Sequence, residues 1–383
     1  MRIAFLCKRR YMGKDVIADR YARLYEIPFQ LARLGHDVRG FCLSYQGHDE
    51  GQWEHDAAPG RLTWESRSLG RLYLPALAGY PRHLLKRLRN YAPDLLIGAS
   101  DIPHVALARW LSLRLNVPYA VDLYDNFEGF GQARIPGMVP ALRRAVRGAA
   151  LVTTTSEPLR ELVVEGYGAQ GEIIAMPSTV DRSVFRPKDR LASRQSLGLP
   201  ADARLIGTAG GLYRDKGIGT LYEAWKIVAQ QRHDVHLVLA GPVDPGFPPP
   251  AGDRIHQLGM LPHARTAELF SALDVGAICI RDTTFGRYCF PQKAYEMLAC
   301  RLPVAAADVG AMSHLLADMR PCLYRADDAS DLARALLLQL DRPVVADVPI
   351  DDWTQLIGAL EPHLLALGAR ASELTPTLKT TNQ

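Results

Sequence analysis

Short runs of Val, Ile and Leu alternate with helical patterns along most of the chain, and this alternation is the feature that most restricts its fold. Apolar runs of strand length followed by amphipathic helices are typical of βαβ units, whose strands lie parallel in one sheet. The pattern occurs twice, so we predict an α/β protein with two Rossmann-like domains. Strands are predicted at residues 2–7, 37–43, 94–100, 118–125 and 151–156 in the first half and at 204–211, 235–241, 255–261, 275–280 and 302–308 in the second.

The length of the chain independently favours two domains. It has 383 residues, of which 48% are hydrophobic, and a single hydrophobic core rarely extends beyond about 250–300 residues. A polar segment at 179–203 has no apolar period and is predicted to connect the two halves. We place the first domain at 1–185 and the second at 186–352. An apolar helix at 353–368 is expected to pack back on the first domain, and residues 369–383 are expected to form a disordered tail.

The cysteine pattern indicates the cellular compartment, and the net charge restricts the classes of partner that the protein could bind. The six cysteines are scattered, with no CxxC pair and no histidine cluster at zinc-binding spacing, which favours reduced thiols, no metal site and a cytoplasmic protein. We expect neither a signal peptide nor a membrane-spanning segment, because no apolar run suits either. The net charge of +4 is small for this length, and aromatic residues do not alternate with the basic runs, so nucleic acid is not an expected partner.

The first candidate ligand site is the loop that follows the strand at 204–211. Gly210 and Gly211 allow backbone amides to approach a ligand, and the next helix presents its N-terminus to the same place. Arg214 and Lys216 stand where a phosphate group would arrive, and arginine can hold phosphate oxygens in a bidentate fork. A solvated glycine turn with surface charges would have the same sequence. The loop is not a Walker A motif, because GxxxxGK[ST] is absent.

The second candidate is the sequence CFPQKAYEMLAC at residues 289–300. Pro291 is expected in the first turn of a helix, where free N–H groups could bind a second set of phosphate oxygens. Lys293 and Glu296 are three residues apart and share one face of that helix. A carboxylate can accept hydrogen bonds from two vicinal hydroxyls, so Glu296 suits a ribose diol. Alternatively, the two side chains form an ordinary surface ion pair.

In their order and spacing, these stretches resemble the donor domain of the family 4 retaining glycosyltransferases, also called glycosyl transferases group 1. The resemblance implies the GT-B fold, in which two Rossmann-like domains face each other across a cleft. It assigns acceptor binding to the N-terminal domain and the nucleotide-sugar donor to the C-terminal domain. It covers nearly the whole chain and rests on LARLGHDV, MPSTVDRSVFRP, GGLYRDKGIGTLYEAW, VHLVLAG, LGMLPHARTAELFSALDVGAICI and FPQKAYEMLACRLPVAAADVG.

The resemblance also implies roles for residues on the donor side. Lys216 would hold the diphosphate and Glu296 the ribose hydroxyls. The family usually has an arginine where this chain has Gly211, and we propose Arg214 as its substitute. The first of the family's two glutamates is Tyr288 here, so backbone amides at the helix start are expected to meet the β-phosphate. The predicted donor-binding residues are Gly210, Gly211, Arg214, Lys216, Gly259, Met260, Cys289, Phe290, Gln292, Lys293 and Glu296, with Gly259 and Met260 packing the nucleobase.

On the acceptor side, the resemblance points to His104 as a catalytic residue near the transferred sugar and phosphate. Asp122 and Asp125 follow another strand, and Asp125 stands near the place of the family's His-Asp pair, so it is the second predicted catalytic residue. Either carboxylate could orient the acceptor hydroxyl or accept its proton. Asp122 could instead cap a turn. Gly13 could be the remnant of the family's N-terminal glycine loop.

Together these residues predict a retaining, metal-independent hexosyltransferase that needs no cofactor. It would move a sugar from a UDP- or GDP-sugar to a hydroxyl in polysaccharide or glycolipid biosynthesis, with Lys216 and helix N-termini stabilising the leaving diphosphate. Because Tyr288 and Gly211 depart from the family, a nucleotide-sugar-binding module without transfer activity is the alternative. An NAD-dependent oxidoreductase would need G-x-G-x-x-G after the first strand, which is absent, and Tyr288 in place of a carboxylate argues against an epimerase.

Two basic segments predict contact with an anionic membrane surface. YPRHLLKRLRNY at 80–91 and PALRRAVRGAAL at 140–151 place arginine and lysine among apolar residues. Basic amphipathic helices can lie on anionic headgroups, which would suit a lipid-linked acceptor and a peripheral position on the inner face of the membrane. The alternatives are a saccharide acceptor and ordinary helices with their leucines in the core.

Overall fold

The computed structural model of the chain describes residues 1–70 and 73–373. The chain divides into two compact units, one formed by Met1–Ser178 with the segment from Trp353 onward, the other by Thr179–Asp352. Each unit is built on a mainly parallel sheet with helices, so the predicted α/β class with two Rossmann-like domains is confirmed. The first unit ends at Ser178, earlier than the predicted boundary at 185.

All ten predicted strands are present, and six further strands accompany them. The strands of the first unit are β1 (Arg2–Lys8), β2 (Arg10–Tyr11), β3 (Lys14–Asp15), β4 (Asp37–Ser44), β5 (Gly51–His55), β6 (Arg61–Ser68), β7 (Leu95–Ala99), β8 (Tyr119–Leu123), β9 (Leu151–Thr154) and β10 (Glu172–Ala175). Those of the second unit are β11 (Arg204–Ala209), β12 (Val235–Ala240), β13 (Ile255–Gln257), β14 (Val275–Ile278), β15 (Val304–Ala307) and β16 (Leu323–Tyr324).

Helices connect these strands in both units. They are α1 (Ala22–Arg33), α2 (Tyr73–Tyr91), α3 (Ile102–Leu115), α4 (Met138–Arg147), α5 (Glu157–Glu161), α6 (Arg190–Leu197), α7 (Ile218–Gln231), α8 (His263–Ala272), α9 (Thr284–Tyr288), α10 (Gln292–Ala299), α11 (Ala311–Leu315), α12 (Ala329–Asp341) and α13 (Trp353–Glu373). Short 3-10 helices occur at Phe127–Gly129, Gly131–Arg134, Arg214–Lys216 and Arg320–Cys322, and a π-helical turn at Leu162–Gly166.

Both sheets reverse their strand order beside the first strand of the unit. The first sheet has the order β10-β9-β8-β7-β1-β4-β6-β5 and the second β13-β12-β11-β14-β15-β16. All pairs in these sheets are parallel except β5 with β6. In such sheets ligands bind beyond the carboxyl ends of the strands, at the point where the order reverses. The expected sites therefore lie after β1 and β7 in one unit and after β11 and β14 in the other.

Two of the strands that the apolar pattern did not reveal, β5 and β6, lie on one side of the first sheet, and β6 alternates in polarity. In β6, Leu62, Trp64 and Ser66 are buried while the residues between them are not. β5 pairs antiparallel with β6 and is mostly exposed. Central strands such as β1, which is buried over residues 3–7, read as continuous apolar runs because both of their faces are covered.

The polar segment at 179–203 is not a bare connection, because it contains α6. Asp189 caps this helix by accepting from the amide of Ala192 at 2.7 Å, and Gly198 ends it with φ +66°. The helix attaches to the second unit through the buried Arg194, whose Nη2 donates to Asp274 at 2.8 Å. An ion pair in place of an apolar stripe explains why periodicity did not indicate a helix here.

The last helix, α13, belongs to the first unit. Ile357, Leu360, Leu364 and Leu367 are buried in the core of that unit, and the carboxylate of Glu361 accepts from Nε2 of His36 at 2.9 Å. The helix continues to Glu373, so the predicted disordered tail at 369–383 is wrong over its first five residues. The sequence there, ARASE, is rich in residues that favour helix. Residues 374–383 lie outside the described part of the chain.

Candidate functional site

Three glycines join the loops at the carboxyl ends of β11, β12 and β13. Gly210 follows β11 with φ +111°. Gly241 follows β12 with φ +130°, and a Cβ there would lie 1.9 Å from the carbonyl oxygen of Gly210. The amide of Gly241 donates to the carbonyl of Gly259 at 2.7 Å. The close contact at Gly241 leaves no room for a side chain there, and together these backbone contacts bring the three loops next to one another at the end of the sheet.

Two lysine ammonium groups lie at this surface. The Nζ atom of Lys293 is 3.5 Å from the place where a Cβ of Gly210 would stand, and Nζ of Lys216 lies 3.7 Å from the ring centroid of Phe285. Neither ammonium forms a hydrogen bond or ion pair within residues 1–70 and 73–373. Burial lowers the pKa of Lys293, and the positive charge of Lys216 contributes in the same direction. The two ammoniums are therefore close enough to repel, and both would be stabilised by an anionic ligand.

The N-terminus of α10 adds backbone donors beside these lysines. The helix begins at Gln292 after Pro291, and no side chain caps it, so its first amides lack partners within the helix. The amide of Cys289 donates to the carbonyl of Phe285 at 2.9 Å. It is therefore engaged within the protein, and the expected amide contacts to a phosphate are left to Phe290 and Gln292.

Glu296 lies one turn further along α10 and is half-buried. Among the described residues its carboxylate has no hydrogen bond, and it forms no ion pair with Lys293. The surface ion pair that we considered for these two residues is therefore absent from the described chain. Burial raises the pKa of Glu296 to about 7, although the charge of Lys293 opposes the shift. Two hydroxyl groups of a ligand could supply the hydrogen bonds that this half-buried carboxylate does not receive from the described chain.

Gly211 and Arg214 were both predicted to contact a phosphate in the loop after β11, but their surroundings differ from that expectation. A Cβ at Gly211 would lie 2.5 Å from the ring of Tyr213, so an arginine in this place would displace that ring. Arg214 is exposed, and its guanidinium lies 5.6 Å from the ring centroid of Phe247. Arg214 and Phe247 line a cavity of about 330 Å³ together with Arg281. Arg214 therefore faces this cavity, which neither Lys216 nor Lys293 lines.

The predicted nucleobase residues lie at the loop after β13. Gly259 has φ +64° and its carbonyl anchors Gly241. Met260 is 80% exposed, so its side chain is available as an apolar contact surface. Tyr288 ends α9 and is half-buried.

In the first unit, His104 lies in the first turn of α3 and contacts Asp101. The distance between Nδ1 of His104 and Oδ1 of Asp101 is 2.5 Å, and Asp101 also caps the helix by accepting from the amide of His104 at 3.1 Å. Both side chains are 1% exposed. Burial opposes ionisation of Asp101, yet the charge and hydrogen bonds of His104 hold its pKa below the ordinary value.

The carboxylate beside His104 is thus Asp101, a residue that we did not single out. The signal was present as an aspartate at the end of a strand, three residues before the histidine, in the position of a helix cap. Asp125 is half-buried, and its Oδ1 accepts from the amide of Asn126 at 2.7 Å.

Asp122 has a structural partner that accounts for it. Its carboxylate binds the fully buried guanidinium of Arg23, with Nη2 to Oδ1 at 2.6 Å, and accepts from the hydroxyl of Thr153 at 2.6 Å. An Asp122 held by these groups does not cap a turn and is not available to an acceptor. Gly13 has φ +82° in the tight turn between β2 and β3, where such a conformation is required.

The described residues also bear on metals, thiols and membranes. Within them, no group of three or more His, Cys, Asp or Glu side chains could hold a metal ion. All six cysteines are free and buried. No helix in the described ranges is both long and apolar enough to cross a bilayer.

The family models match the two units separately. The model described as "Glycosyl transferase 4-like domain" matches residues 22–178, and the model described as "Glycosyl transferases group 1" matches residues 203–342. The chain belongs to the family 4 glycosyltransferases. The resemblance inferred from its motifs is confirmed.

Curated relatives of this family 4 glycosyltransferase carry different names. The D-inositol 3-phosphate glycosyltransferase of Stackebrandtia nassauensis is 32% identical over 253 residues, which are 61% of this chain and 54% of the relative. The chain therefore matches about half the length of that relative. The Bacillus subtilis protein TuaC, which carries the name of a teichuronic acid biosynthesis glycosyltransferase, is 26% identical over 76% of this chain and 72% of its own.

Solved structures show that the family 4 chain has the GT-B fold. Sucrose-phosphate synthase from Thermosynechococcus elongatus aligns with a TM-score of 0.70 at 20% identity, covering 97% of this chain and 98% of that one. HepE of Anabaena in complex with UDP aligns with a TM-score of 0.65 at 18% identity, covering 98% and 99%. The predicted GT-B fold is confirmed.

Proposed function

We propose that the protein is a retaining glycosyltransferase that moves a hexose from a UDP- or GDP-sugar to a hydroxyl of an acceptor. The observation that carries this proposal is the cluster in the second unit. There, two ammoniums, Lys216 and Lys293, lie beside the uncapped N-terminus of α10, and the unpaired carboxylate of Glu296 follows one turn later. Cations next to an acceptor-only carboxylate complement a diphosphate next to a ribose diol.

Within this proposal, charge stabilisation of the leaving group comes from the chain itself. As the sugar–phosphate bond breaks, negative charge grows on the diphosphate, and Lys216, Lys293 and the amides of Phe290 and Gln292 are fixed positive groups beside it. We therefore propose that catalysis is metal-independent. Rates that are unchanged after treatment with EDTA, and unchanged when Mg²⁺ or Mn²⁺ is added back, are the expected result.

The stereochemistry is part of the same proposal. A same-face attack by the acceptor hydroxyl keeps the configuration of the sugar and needs no carboxylate nucleophile. Tyr288 where the family has its first glutamate is compatible with such a route, because the second glutamate, Glu296, serves the ribose. An α-linked product from an α-linked donor, seen by NMR of the anomeric proton, is expected.

The identity of the donor base is supported by a structural neighbour. HepE of Anabaena, which shares the fold, has been crystallised with UDP-glucose. A polysaccharide or glycolipid product is supported by the name of TuaC, which refers to teichuronic acid biosynthesis.

A nucleotide-sugar-binding module without transfer activity is the second candidate. Gly211 and Tyr288 favour it, because each replaces a charged residue of the family. The two candidates separate in a donor screen in which UDP-, GDP- and ADP-sugars are titrated with purified protein while binding and released nucleoside diphosphate are both recorded. Release that is lost in Lys216→Ala and Glu296→Ala, and kept in the exposed control Lys226→Ala, supports transfer. Tight binding of one donor without release, in the presence of saccharide acceptors, supports the module.

We also propose peripheral attachment to an anionic membrane through the basic residues of α2 and α4. In α2, Leu84 and Leu88 are buried in the unit while Arg82, Lys86 and Arg89 are exposed, so attraction would come from charge and not from an apolar face. In α4, Arg143 is bound to Glu128 at 2.7 Å. Co-sedimentation with vesicles of 30% anionic lipid at low salt is the test. Equal recovery with neutral vesicles would exclude attachment through these charges.

A further inference from the structure

A polar cluster at the carboxyl edge of the first sheet is separate from the donor residues. Lys8 is the last residue of β1, Asp101 follows β7 and Tyr124 follows β8. These three strands are neighbours in the sheet, and β7 and β1 flank the point where the strand order reverses. Ligands bind at such points in open α/β sheets. We refer to Lys8, Tyr45, Asp101, His104, Tyr124 and Gln132 as the Asp101 cluster.

Lys8 supplies hydrogen-bond donors that the protein does not use. Its Nζ donates to the hydroxyl of Tyr124 at 2.9 Å and lies 5.6 Å and 5.5 Å from the ring centroids of Tyr124 and Phe130. The described chain offers it no carboxylate within ion-pair distance. An ammonium has three N–H groups, so two remain for a ligand. Burial lowers the pKa of Lys8, although the charges of Asp101 and Asp125 oppose the shift.

Asp101 organises the other members of the cluster. Its Oδ1 accepts from His104, and its Oδ2 accepts from the hydroxyl of Tyr45 at 3.2 Å and from Nε2 of Gln132 at 3.4 Å. The contact with Gln132 also fixes the orientation of that amide, because the reversed amide would place its oxygen against a carboxylate. Tyr45, His104 and Gln132 are thus held in place by one buried carboxylate.

Two buried polar atoms of this cluster have no partner within the described part of the chain. They are Nε2 of His104 and Oε1 of Gln132. His104 is 1% exposed and its ring is held by Asp101, so it cannot turn to find another partner. Buried polar atoms are normally hydrogen-bonded, and unpaired ones mark a site that a ligand or solvent completes. Gln132 lies at the accessible edge, because it is half-buried.

Aromatic rings form a platform next to these polar groups. Tyr124 contacts Tyr11, Phe127 and Phe130, with ring centroids 4.8 Å, 5.2 Å and 6.1 Å apart. Phe130 and Tyr124 are half-buried, so part of each ring faces outward. Rings that adjoin hydrogen-bonding groups suit a pyranose, which has an apolar C–H face and a polar rim of hydroxyls.

The charges around the cluster disfavour an anionic ligand. Lys8 is one cation facing two carboxylates, Asp101 and Asp125. The guanidiniums of Arg23 and Arg9 are bound within the unit, Arg23 to Asp122 and Arg9 to Asp15 at 2.9 Å. The cluster itself therefore carries no excess of positive charge that would favour a phosphate or carboxylate.

We propose that the acceptor is an uncharged saccharide whose hydroxyls bind Lys8 and Gln132 while its C–H face lies on Tyr124 and Phe130. The inference rests on the proposed transfer function for its statement that the ligand is the acceptor. It differs from the relative named D-inositol 3-phosphate glycosyltransferase, because that name refers to a phosphorylated compound and the ligand proposed here is uncharged. Lys8 and Gln132 are then residues that determine acceptor specificity.

The test is a binding measurement on the full chain with defined probes. Methyl glycosides of glucose, galactose, mannose and N-acetylglucosamine, and the 6-phosphate of each, are titrated by saturation-transfer NMR, with and without UDP or GDP. We expect at least one uncharged glycoside to bind, and to bind about fivefold or more tightly than its 6-phosphate. Lys8→Met and Gln132→Leu should each weaken it about 5- to 20-fold, the size of one or two lost hydrogen bonds. Lys14→Met, an exposed lysine in the hairpin turn, is the matched control and should leave it unchanged.

The outcomes separate this inference from the proposed function. If UDP or GDP binds but no uncharged glycoside does, the saccharide inference is wrong and the donor assignment stands. If a 6-phosphate binds more tightly than its parent glycoside, or if both variants bind glycoside as wild type does, the inference is also wrong. If a glycoside binds and the two variants weaken it while neither nucleotide binds, the saccharide site is supported and the proposed transferase is not. A urea-unfolding transition at the wild-type midpoint, followed by circular dichroism, excludes loss of folding in the variants as the cause.

Discussion

Replacing Glu296 with glutamine is expected to stabilise the protein at neutral and alkaline pH, although the residue belongs to the candidate nucleotide site. The carboxyl is half-buried on α10 and has no hydrogen bond or ion pair within the described chain. Burial raises its pKa from 4.5 to about 7. Between these two values the native state keeps a proton that the unfolded chain has lost, so the native state binds more protons and its stability falls as pH rises.

The size of the effect follows from the shift. Each pKa unit corresponds to about 1.4 kcal/mol, so the ionised carboxylate costs up to about 3 kcal/mol above pH 7 and almost nothing at pH 4.5. Glutamine has a similar shape and no charge, so the Glu296→Gln variant should escape this cost. Its free energy of unfolding should exceed that of wild type by about 2–3 kcal/mol at pH 8, and the two should converge at pH 4.5.

Urea unfolding followed by far-ultraviolet circular dichroism at both pH values measures this difference. Glu223→Gln is the matched control, since Glu223 is exposed and paired with Lys226 at 2.8 Å; it should change stability by no more than about 0.5 kcal/mol at either pH. Nucleotide affinity should fall about tenfold in Glu296→Gln, because an amide accepts hydrogen bonds less strongly than a carboxylate. A variant that is no more stable than wild type at pH 8, or equally stabilised at both pH values, would refute the reasoning.

Three further predictions use other parts of the structure. Asp122→Ala leaves the guanidinium of Arg23 buried without its carboxylate and should lower the free energy of unfolding by about 3–5 kcal/mol in chemical denaturation; a loss below about 1 kcal/mol would mean that the pair is not buried as described. Gly241→Ala would place a Cβ 1.9 Å from the carbonyl of Gly210, so it should displace the donor loop and weaken nucleotide binding about tenfold or more in calorimetry, whereas wild-type affinity would contradict the close contact. Nucleotide binding at pH 6.5 should release a proton from Glu296, seen as a dependence of the binding enthalpy on the buffer, and this dependence should be absent at pH 8.5.

Much of the fold could be predicted from local pattern because the central strands of both sheets are buried on both faces. β1 and β11 read as continuous apolar runs, and their order along the chain indicated parallel pairing. β6, in contrast, alternates buried and exposed residues, and α6 is attached by the Arg194–Asp274 pair. Neither carries the apolar signal by which the other elements were recognised.

The candidate site divides in the same way. Lys293 and Glu296 were identified because charges in an apolar run need a reason, and their spacing on one helix could be read directly. The role of Asp101 depends on contacts between β7, α3 and the loop after β8, which are distant in sequence. The amide of Cys289 is likewise unavailable to a phosphate because it donates to the carbonyl of Phe285 in the short helix α9, which the sequence did not reveal.

The most direct test of the account is a crystal structure of the protein with UDP or GDP. The account predicts that the diphosphate lies between Nζ of Lys216, Nζ of Lys293 and the first amides of α10, and that the ribose hydroxyls donate to Glu296. A nucleotide bound in the neighbouring cavity lined by Arg214, Phe247 and Arg281, with Lys293 and Glu296 untouched, would contradict it.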